Sequence, residues 1–160
     1  MELIENGRVV EDRFTQLQDA QPIAERGDIL VSFERLQGQH EALLEREGRL
    51  GVRIGPDVEP EELLPYLSQL SVIAIEFASF ADGRGYSTAR LLRQRHGYRG
   101  QLRAVGNVLR DQLFYMKRCG FDAFELQAGR SLDDALEAFS EFSVIYQGAA
   151  DEPLPLFRRR

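Results

Sequence analysis

Short apolar runs alternate with amphipathic stretches along most of the chain. Five runs have the length and composition of buried strands: Ile29–Phe33, Leu50–Ile54, Val72–Phe77, Leu102–Val105 and Ala123–Leu126. Each is followed by a stretch with helical spacing or a helix-start signal: the predicted helices lie near Gln37–Glu47, Pro60–Leu67, Ala89–Arg95, Arg110–Cys119 and Leu132–Phe142. Because the connections are short, this alternation predicts an α/β fold with a parallel sheet of about five βα units.

The two ends of the chain differ from this pattern. Residues 1–27 are polar, and Asn6-Gly7 is a turn signal between two short apolar pairs, which predicts an N-terminal β-hairpin. The last ten residues, 151–160, contain two prolines that favour an extended tail. We therefore expect a single α/β domain over residues 1–150, with the hairpin region at 1–27, followed by the tail.

The order of the strands in the sheet is predicted from charge. Each predicted strand carries or adjoins one ionisable residue, and the signs alternate along the chain: Glu34, Arg53, Glu76, Arg103 and Glu125. Sequential order sets opposite charges on neighbouring strands, as in an open part of a (β/α) barrel. The doubly wound, flavodoxin-like order instead sets Glu34 beside Glu76. We expect sequential order, with the doubly wound sheet as the alternative, and the hairpin or a second copy of the chain covering an open edge.

Composition excludes several classes of protein. The 160 residues carry a formal net charge of -6, which argues against nucleic-acid binding. No apolar run approaches the ~20 residues of a membrane span, and the N-terminus lacks the pattern of a signal peptide, so we expect a cytoplasmic protein. One cysteine and two histidines are too few for an internal disulfide or a convincing zinc site, so no metal is expected.

The glycine-containing stretch after the third predicted strand is the strongest candidate for a site. A glycine turn between a strand and a helix presents backbone amides at the positive end of the helix dipole, and arginines add charge. The predicted anion-binding residues are Asp82, Gly83, Arg84, Gly85, Tyr86, Ser87 and Arg90. Thr88 stands where the third glycine of a dinucleotide fingerprint would be, which argues against a Rossmann dinucleotide site. The alternative is that the glycines only permit a tight turn and the arginines are solvated.

Polar residues near other strand ends predict a cleft beside this loop. These cleft residues are Arg53, Glu76, Arg103, Asn107, Asp111 and Gln112. Asp111 and Asp82 are expected to face the same cleft, where two carboxylates can divide acid and base roles. Asp111 alternatively caps a helix.

The tail combines apolar anchors with a run of positive charge. Its predicted partner-binding residues are Leu156, Phe157, Arg158, Arg159 and Arg160. Apolar side chains followed by arginines are typical of a peptide that docks on an acidic surface. The alternative is a disordered terminus.

Three blocks, Phe80–Arg93, Gly97–Gly106 and Asp111–Phe124, resemble the bacterial domain of unknown function 934 family. The similarity extends over residues 30–150, with Asn107 where the family pattern has Asp. The resemblance implies a role in assimilatory sulfite reduction, as an accessory protein that binds the sulfite reductase haemoprotein and assists electron delivery or assembly. Members are also described as probable oxidoreductases, but the chain shows no complete catalytic or cofactor motif.

Two other functions remain open at this point. The first is an enzyme or sensor that binds a small oxyanion or a nucleotide sulfate at Gly83–Ser87. The second is a flavin-binding oxidoreductase in which Phe80 and Tyr86 contact the ring. No cofactor other than flavin is indicated.

Overall fold

The computed structural model describes residues 2–79, 82–126 and 132–141. Among these residues, eight strands form one sheet. The strands are β1 Glu2–Glu5, β2 Arg8–Glu11, β3 Phe14–Gln16, β4 Asp28–Ser32, β5 Leu50–Ile54, β6 Val72–Phe77, β7 Gln101–Gly106 and β8 Ala123–Phe124. The predicted bounds of β5 and β6 are confirmed.

The helices of the described residues follow most of the predicted positions. They are α1 Phe33–Gly38, α2 His40–Leu44, α3 Arg84–Gln94, α4 Leu113–Cys119 and α5 Leu132–Glu141, with 3₁₀ segments at Pro60–Gln69 and Arg110–Gln112. The prediction of one helix over Gln37–Glu47 was wrong. The Ser32 hydroxyl accepts a hydrogen bond from the Arg35 amide at 3.1 Å, so a helix begins directly after β4. None of the described helices has both the length and the apolar composition needed to cross a membrane.

The predicted N-terminal hairpin is confirmed. Asn6 and Gly7 both have positive φ angles, 52° and 78°, as a two-residue type I′ turn requires. β1 pairs antiparallel with β2 on one side and with β8 on the other. The hairpin therefore covers the edge that β8 would otherwise expose.

The sheet is mixed, with strand order β2-β1-β8-β7-β6-β5-β4-β3. Strands β3 to β8 are parallel neighbours that follow one another in chain order, whereas β1 is antiparallel to both of its neighbours. The α/β class is confirmed. The description as about five parallel βα units was too simple, because β3 adds a parallel strand at one edge and the hairpin adds antiparallel pairs at the other.

The chain path requires the sheet to curl. β2 and β3 lie at opposite edges of the sheet, yet only Asp12 and Arg13 separate them in sequence. Three peptide units reach at most about 11 Å, so the two edges must approach each other at this link. The result is a curled, half-barrel sheet with an inner and an outer face.

The two faces have different roles because side chains alternate along each strand. On the outer face, Ile73, Ile75 and Leu102 join the main hydrophobic core together with helix residues such as Leu92 and Met116. The inner face carries smaller buried apolar residues and several charged side chains. Three charged strand residues, Arg53, Glu76 and Arg103, lie on this inner face.

Candidate functional site

Arg103 is the central charged residue of the inner face. It lies in the middle of β7, and only 2% of its side chain is exposed. Its partners in register on the two neighbouring strands are Ala74 and Ala123, both completely buried. Because alanine is small, these neighbours leave room on the inner face for the guanidinium group.

The guanidinium is held by groups from its own strand and from the link between the sheet edges. Arg103 Nη1 donates to Asp12 Oδ2 at 3.0 Å, and Nε donates to Gln101 Oε1 at 2.9 Å. The other oxygen of Asp12 accepts from the Phe14 amide at 3.0 Å. Arg103 also lies over the Phe14 ring, 5.7 Å from its centroid. This buried ion pair ties the Asp12-Arg13 link to a central strand.

A cavity of about 490 Å³ surrounds this ion pair, and we call it the inner cavity. Its charged lining residues are Glu5, Glu11, Asp12, Arg13, Arg49 and Arg103. Three carboxylates thus face three guanidinium groups, so the charge of the lining is balanced. The side-chain amide of Gln101 donates to Glu5, which extends the network of Arg103 to a second carboxylate.

Arg49 forms the exposed side of the inner cavity. Its guanidinium lies 4.9 Å from the centroid of Phe14 and pairs with Asp28 at 2.9 Å. Hydrogen bonds from the backbone and side chain of Arg49 lower the pKa of Asp28 below its ordinary value. Phe14 therefore lies against two arginines, Arg49 and Arg103.

A second ion pair on the same face involves two of the predicted cleft residues. Arg53 on β5 and Glu76 on β6 approach to 3.2 Å. This contact confirms the expected attraction between opposite charges on neighbouring strands. Arg103 was expected to extend this series, but it pairs with Asp12.

The remaining predicted cleft residues lie near the carboxyl ends of the strands. Asn107 follows β7, where its backbone amide donates to the Phe77 carbonyl and its side chain donates to Ala78. Asp111 is exposed and Gln112 is half-buried in the short 3₁₀ segment before α4. The joint acid and base role for Asp111 and Asp82 stays a prediction.

At the predicted anion loop, the protein's own carboxylates surround Arg84. Its backbone amide donates to Asp82 Oδ1 at 3.0 Å, at the beginning of α3. Its guanidinium pairs with Asp82 at 2.7 Å and with Asp57 at 3.0 Å. The Arg84 hydrogen bonds lower the pKa of Asp82 to about 2. An external anion would therefore compete with two internal ones.

The two glycines of this loop have different surroundings. A Cβ atom on Gly85 would lie 2.7 Å from the Phe77 ring, whereas a Cβ on Gly83 would meet nothing within 4 Å. Gly85 is thus required for the close packing of α3 on β6. Ser87 is exposed on the first turn of α3. The anion-binding role of Asp82–Ser87 stays a prediction.

Tyr86 belongs to an aromatic cluster rather than standing free in the loop. Its ring centroid lies 5.0 Å from that of Phe77 and 5.0 Å from that of Tyr115. Phe80, the other residue of the flavin hypothesis, lies outside the described residues. Flavin binding therefore stays a prediction.

Arg90 lies on α3, where its side chain contacts α4. Its Nη2 is 3.4 Å from the Tyr115 hydroxyl and 3.3 Å from the Cys119 sulfur. Cys119 is fully buried. Tyr115, which sequence reasoning did not single out, is 45% exposed.

The residues of the inner cavity were also missed, apart from Arg103. An arginine inside the apolar run Leu102–Val105 signals that one face of the strand holds a buried charge. Its partner Asp12 lies 91 residues earlier in the chain, and no local pattern connects the two. In the described parts of the chain, no group of three or more His, Cys, Asp or Glu side chains is arranged to hold a metal ion.

The predicted docking residues Leu156, Phe157, Arg158, Arg159 and Arg160 lie outside the described residues. No curated protein matches the chain. The sequence model of one family, described as a bacterial protein of unknown function (DUF934), matches residues 51–157. This match covers more than half of the 160 residues and confirms the family resemblance. The chain belongs to the DUF934 family of bacterial proteins.

Proposed function

We propose that this chain is an accessory protein of assimilatory sulfite reduction that binds the sulfite reductase haemoprotein and assists electron delivery or assembly. The pathway and the partner come from the family resemblance. The structural observation that supports docking is an exposed tyrosine with an arginine beside it, where α3 and α4 meet. We call Tyr86, Arg90 and Tyr115 the Tyr–Arg surface.

The composition of the Tyr–Arg surface suits a protein interface. Tyr115 offers a large ring at the surface, supported from below by Tyr86 at a centroid distance of 5.0 Å. Tyrosine and arginine are enriched among the residues that contribute most to binding between proteins. Because Tyr86 packs in turn on the buried Phe77, the surface is held rigid before a partner arrives.

The charge of Arg90 is available to a partner. Among the described residues, Arg90 contacts a tyrosine hydroxyl and a cysteine sulfur, and it forms no ion pair with a carboxylate. Arg84, by contrast, pairs with two aspartates. The Tyr–Arg surface therefore fits an acidic patch on the partner.

Binding of the purified chain to the sulfite reductase haemoprotein of the same bacterium tests this function. We expect Tyr115→Ala to raise the dissociation constant at least about tenfold, as the loss of a principal interface contact would. The matched control is Leu44→Ala on α2, because Leu44 is 40% exposed and lies outside the Tyr–Arg surface. This control should bind like the wild type.

Salt dependence separates the charge of the surface from its apolar part. We expect Arg90→Ala to weaken binding and to reduce its dependence on salt, whereas Tyr115→Ala should leave that dependence unchanged. A wild-type chain that does not bind the haemoprotein would refute the function. Wild-type affinity in both variants would refute the surface but leave the accessory role intact.

A further inference from the structure

We infer that the inner cavity binds a small zwitterion of the amino-acid class, with its carboxylate on Arg103 and its ammonium group on Glu5. This inference is independent of the proposed docking function, because the cavity lies on the inner face of the sheet and the Tyr–Arg surface lies on the helices.

At the carboxylate end of the site, the guanidinium of Arg103 has a nitrogen that donates no hydrogen bond to the described residues. Arg103 Nε and Nη1 donate to Gln101 and Asp12, whereas Nη2 has no hydrogen-bond partner among the described residues. Only 2% of the Arg103 side chain is exposed, yet it lines the inner cavity. A carboxylate oxygen is the acceptor that a guanidinium binds best.

The ammonium end of the site is Glu5. One carboxylate oxygen accepts from the Gln101 side chain, and the other has no hydrogen-bond partner in the described part of the chain. Gln101 contacts Glu5 with its amide nitrogen and Arg103 with its amide oxygen. A single side-chain amide, that of Gln101, therefore bridges the Glu5 carboxylate and the Arg103 guanidinium. This arrangement suits the neighbouring amino and carboxylate groups of an amino acid.

The charge and size of the inner cavity favour the same ligand class. Its lining contains three carboxylates and three guanidinium groups, so the cavity presents both signs of charge to a ligand. A zwitterion adds one charge of each sign and meets both ends of the network. The volume of about 490 Å³ lies within the range of small-molecule sites, roughly 300–1,000 Å³. Arg13 and Arg49 are exposed and form the rim through which a ligand would enter.

Calorimetric titration of the full chain with each standard L-amino acid at millimolar concentration tests the inference. For any amino acid that binds, the comparison probes are the same molecule without its amino group and the same molecule without its carboxylate. We expect both to bind at least about tenfold more weakly, because each meets one end of the site only. Absence of binding by all the amino acids would overturn the inference, as would equal binding of the deaminated acid.

Two variants locate the site. Glu5→Gln keeps an acceptor for Gln101 but removes the negative charge, so it should weaken the amino acid about tenfold and leave the deaminated acid unchanged. Ser71 lines the cavity, and its side chain makes no hydrogen bond among the described residues. The larger ring in Ser71→Phe should fill the cavity and abolish binding. Circular dichroism shows whether each variant is folded. Wild-type affinity in a folded Glu5→Gln protein would overturn the assignment.

Discussion

The inner cavity and the loop before α3 each contain an arginine paired with an aspartate, but their surroundings are opposite. Arg103 and Asp12 are 3.0 Å apart, with side-chain exposures of 2% and 9%. Arg84 and Asp82 are 2.7 Å apart, with exposures of 59% and 23%. The exposed pair is the shorter one. Distance alone therefore does not rank the two pairs, and burial decides what each contributes.

The physical reason is the energy of the separated charges. At the loop, water and salt solvate both groups when the contact opens, so little is lost. In the inner cavity, removing one partner leaves the other buried without compensation. We therefore expect that removing one partner costs more stability at the inner pair than at the loop pair.

The largest effect is expected from breaking the inner pair. Arg103→Met leaves the Asp12 carboxylate, which is 9% exposed, with the Phe14 amide but without its ionic partner. It should lower the free energy of unfolding by about 3–5 kcal/mol. Urea denaturation measures this loss. The double variant Arg103→Met with Asp12→Leu removes both charges and should recover part of the stability. A loss below about 1 kcal/mol in the single variant would place this pair with ordinary surface contacts.

A smaller effect is expected at the loop, and it comes from packing rather than charge. Gly85→Ala places a Cβ 2.7 Å from the ring of Phe77, which is itself buried, and should cost about 1–3 kcal/mol. Gly83→Ala is the matched control, since its Cβ meets nothing within 4 Å and its φ angle of -86° suits any residue. The control should unfold at or above the wild-type urea concentration. Equal destabilisation by the two substitutions would contradict the packing role of Gly85.

The strands and the hairpin show which parts of the fold the sequence can predict. The alternation of apolar runs located β5 and β6, and Asn6-Gly7 located the hairpin, because these features depend on neighbours in the chain. β3 was missed because three residues, Phe14–Gln16, are too few to show a period. The Asp12–Arg103 contact was missed because it arises only when the sheet curls and its edges meet.

The prediction for the loop failed to account for Asp57 for a similar reason. The glycines and Arg84 are a local pattern and were found, but Asp57 lies 27 residues earlier and reaches the loop only in the fold. A glycine-rich helix start attracts an anion for physical reasons. The sequence alone does not say that the protein supplies this anion itself, with Asp82 and Asp57.

An intermediate case sharpens the ranking by burial. Arg53 and Glu76 are 3.2 Å apart, and their side chains are 33% and 41% exposed. A double-mutant cycle with Arg53→Ala and Glu76→Ala should give a coupling of about 0.2–1 kcal/mol, below the cost of breaking the inner pair. Thermal or urea unfolding of the four proteins measures the coupling. A value above that of the Asp12–Arg103 pair would refute burial as the deciding variable.

The smallest change in stability is expected from Arg84→Ala, although it should shift a titration clearly. Arg84 lowers the pKa of Asp82 from its ordinary value of 3.8 to about 2, and the side-chain hydrogen bonds are the largest cause. The variant should therefore titrate at a higher pH than the wild type but still below 3.8, because the backbone amide of residue 84 continues to donate to Asp82. Since the pKa is lower in the folded state, the pair stabilises the fold above pH 3.8 and loses this contribution as the pH falls towards 2. Because both groups contact water, the urea midpoint near neutral pH should stay close to that of the wild type. Carbon-detected NMR titration of the Asp82 carboxyl group measures the pKa.

The same titration also tests the predicted anion site. An anion that binds Arg84 must draw its guanidinium away from Asp82, so sulfate should raise the Asp82 pKa towards 3.8 if Asp82–Ser87 is an anion site. Chloride at equal ionic strength is the control, since screening alone also weakens the pair. A larger shift in sulfate than in chloride would establish the loop as a second ligand site beside the inner cavity. Equal shifts of the Asp82 pKa in the two salts would mean that the loop does not bind sulfate specifically and that Arg84 stays paired with Asp82 and Asp57.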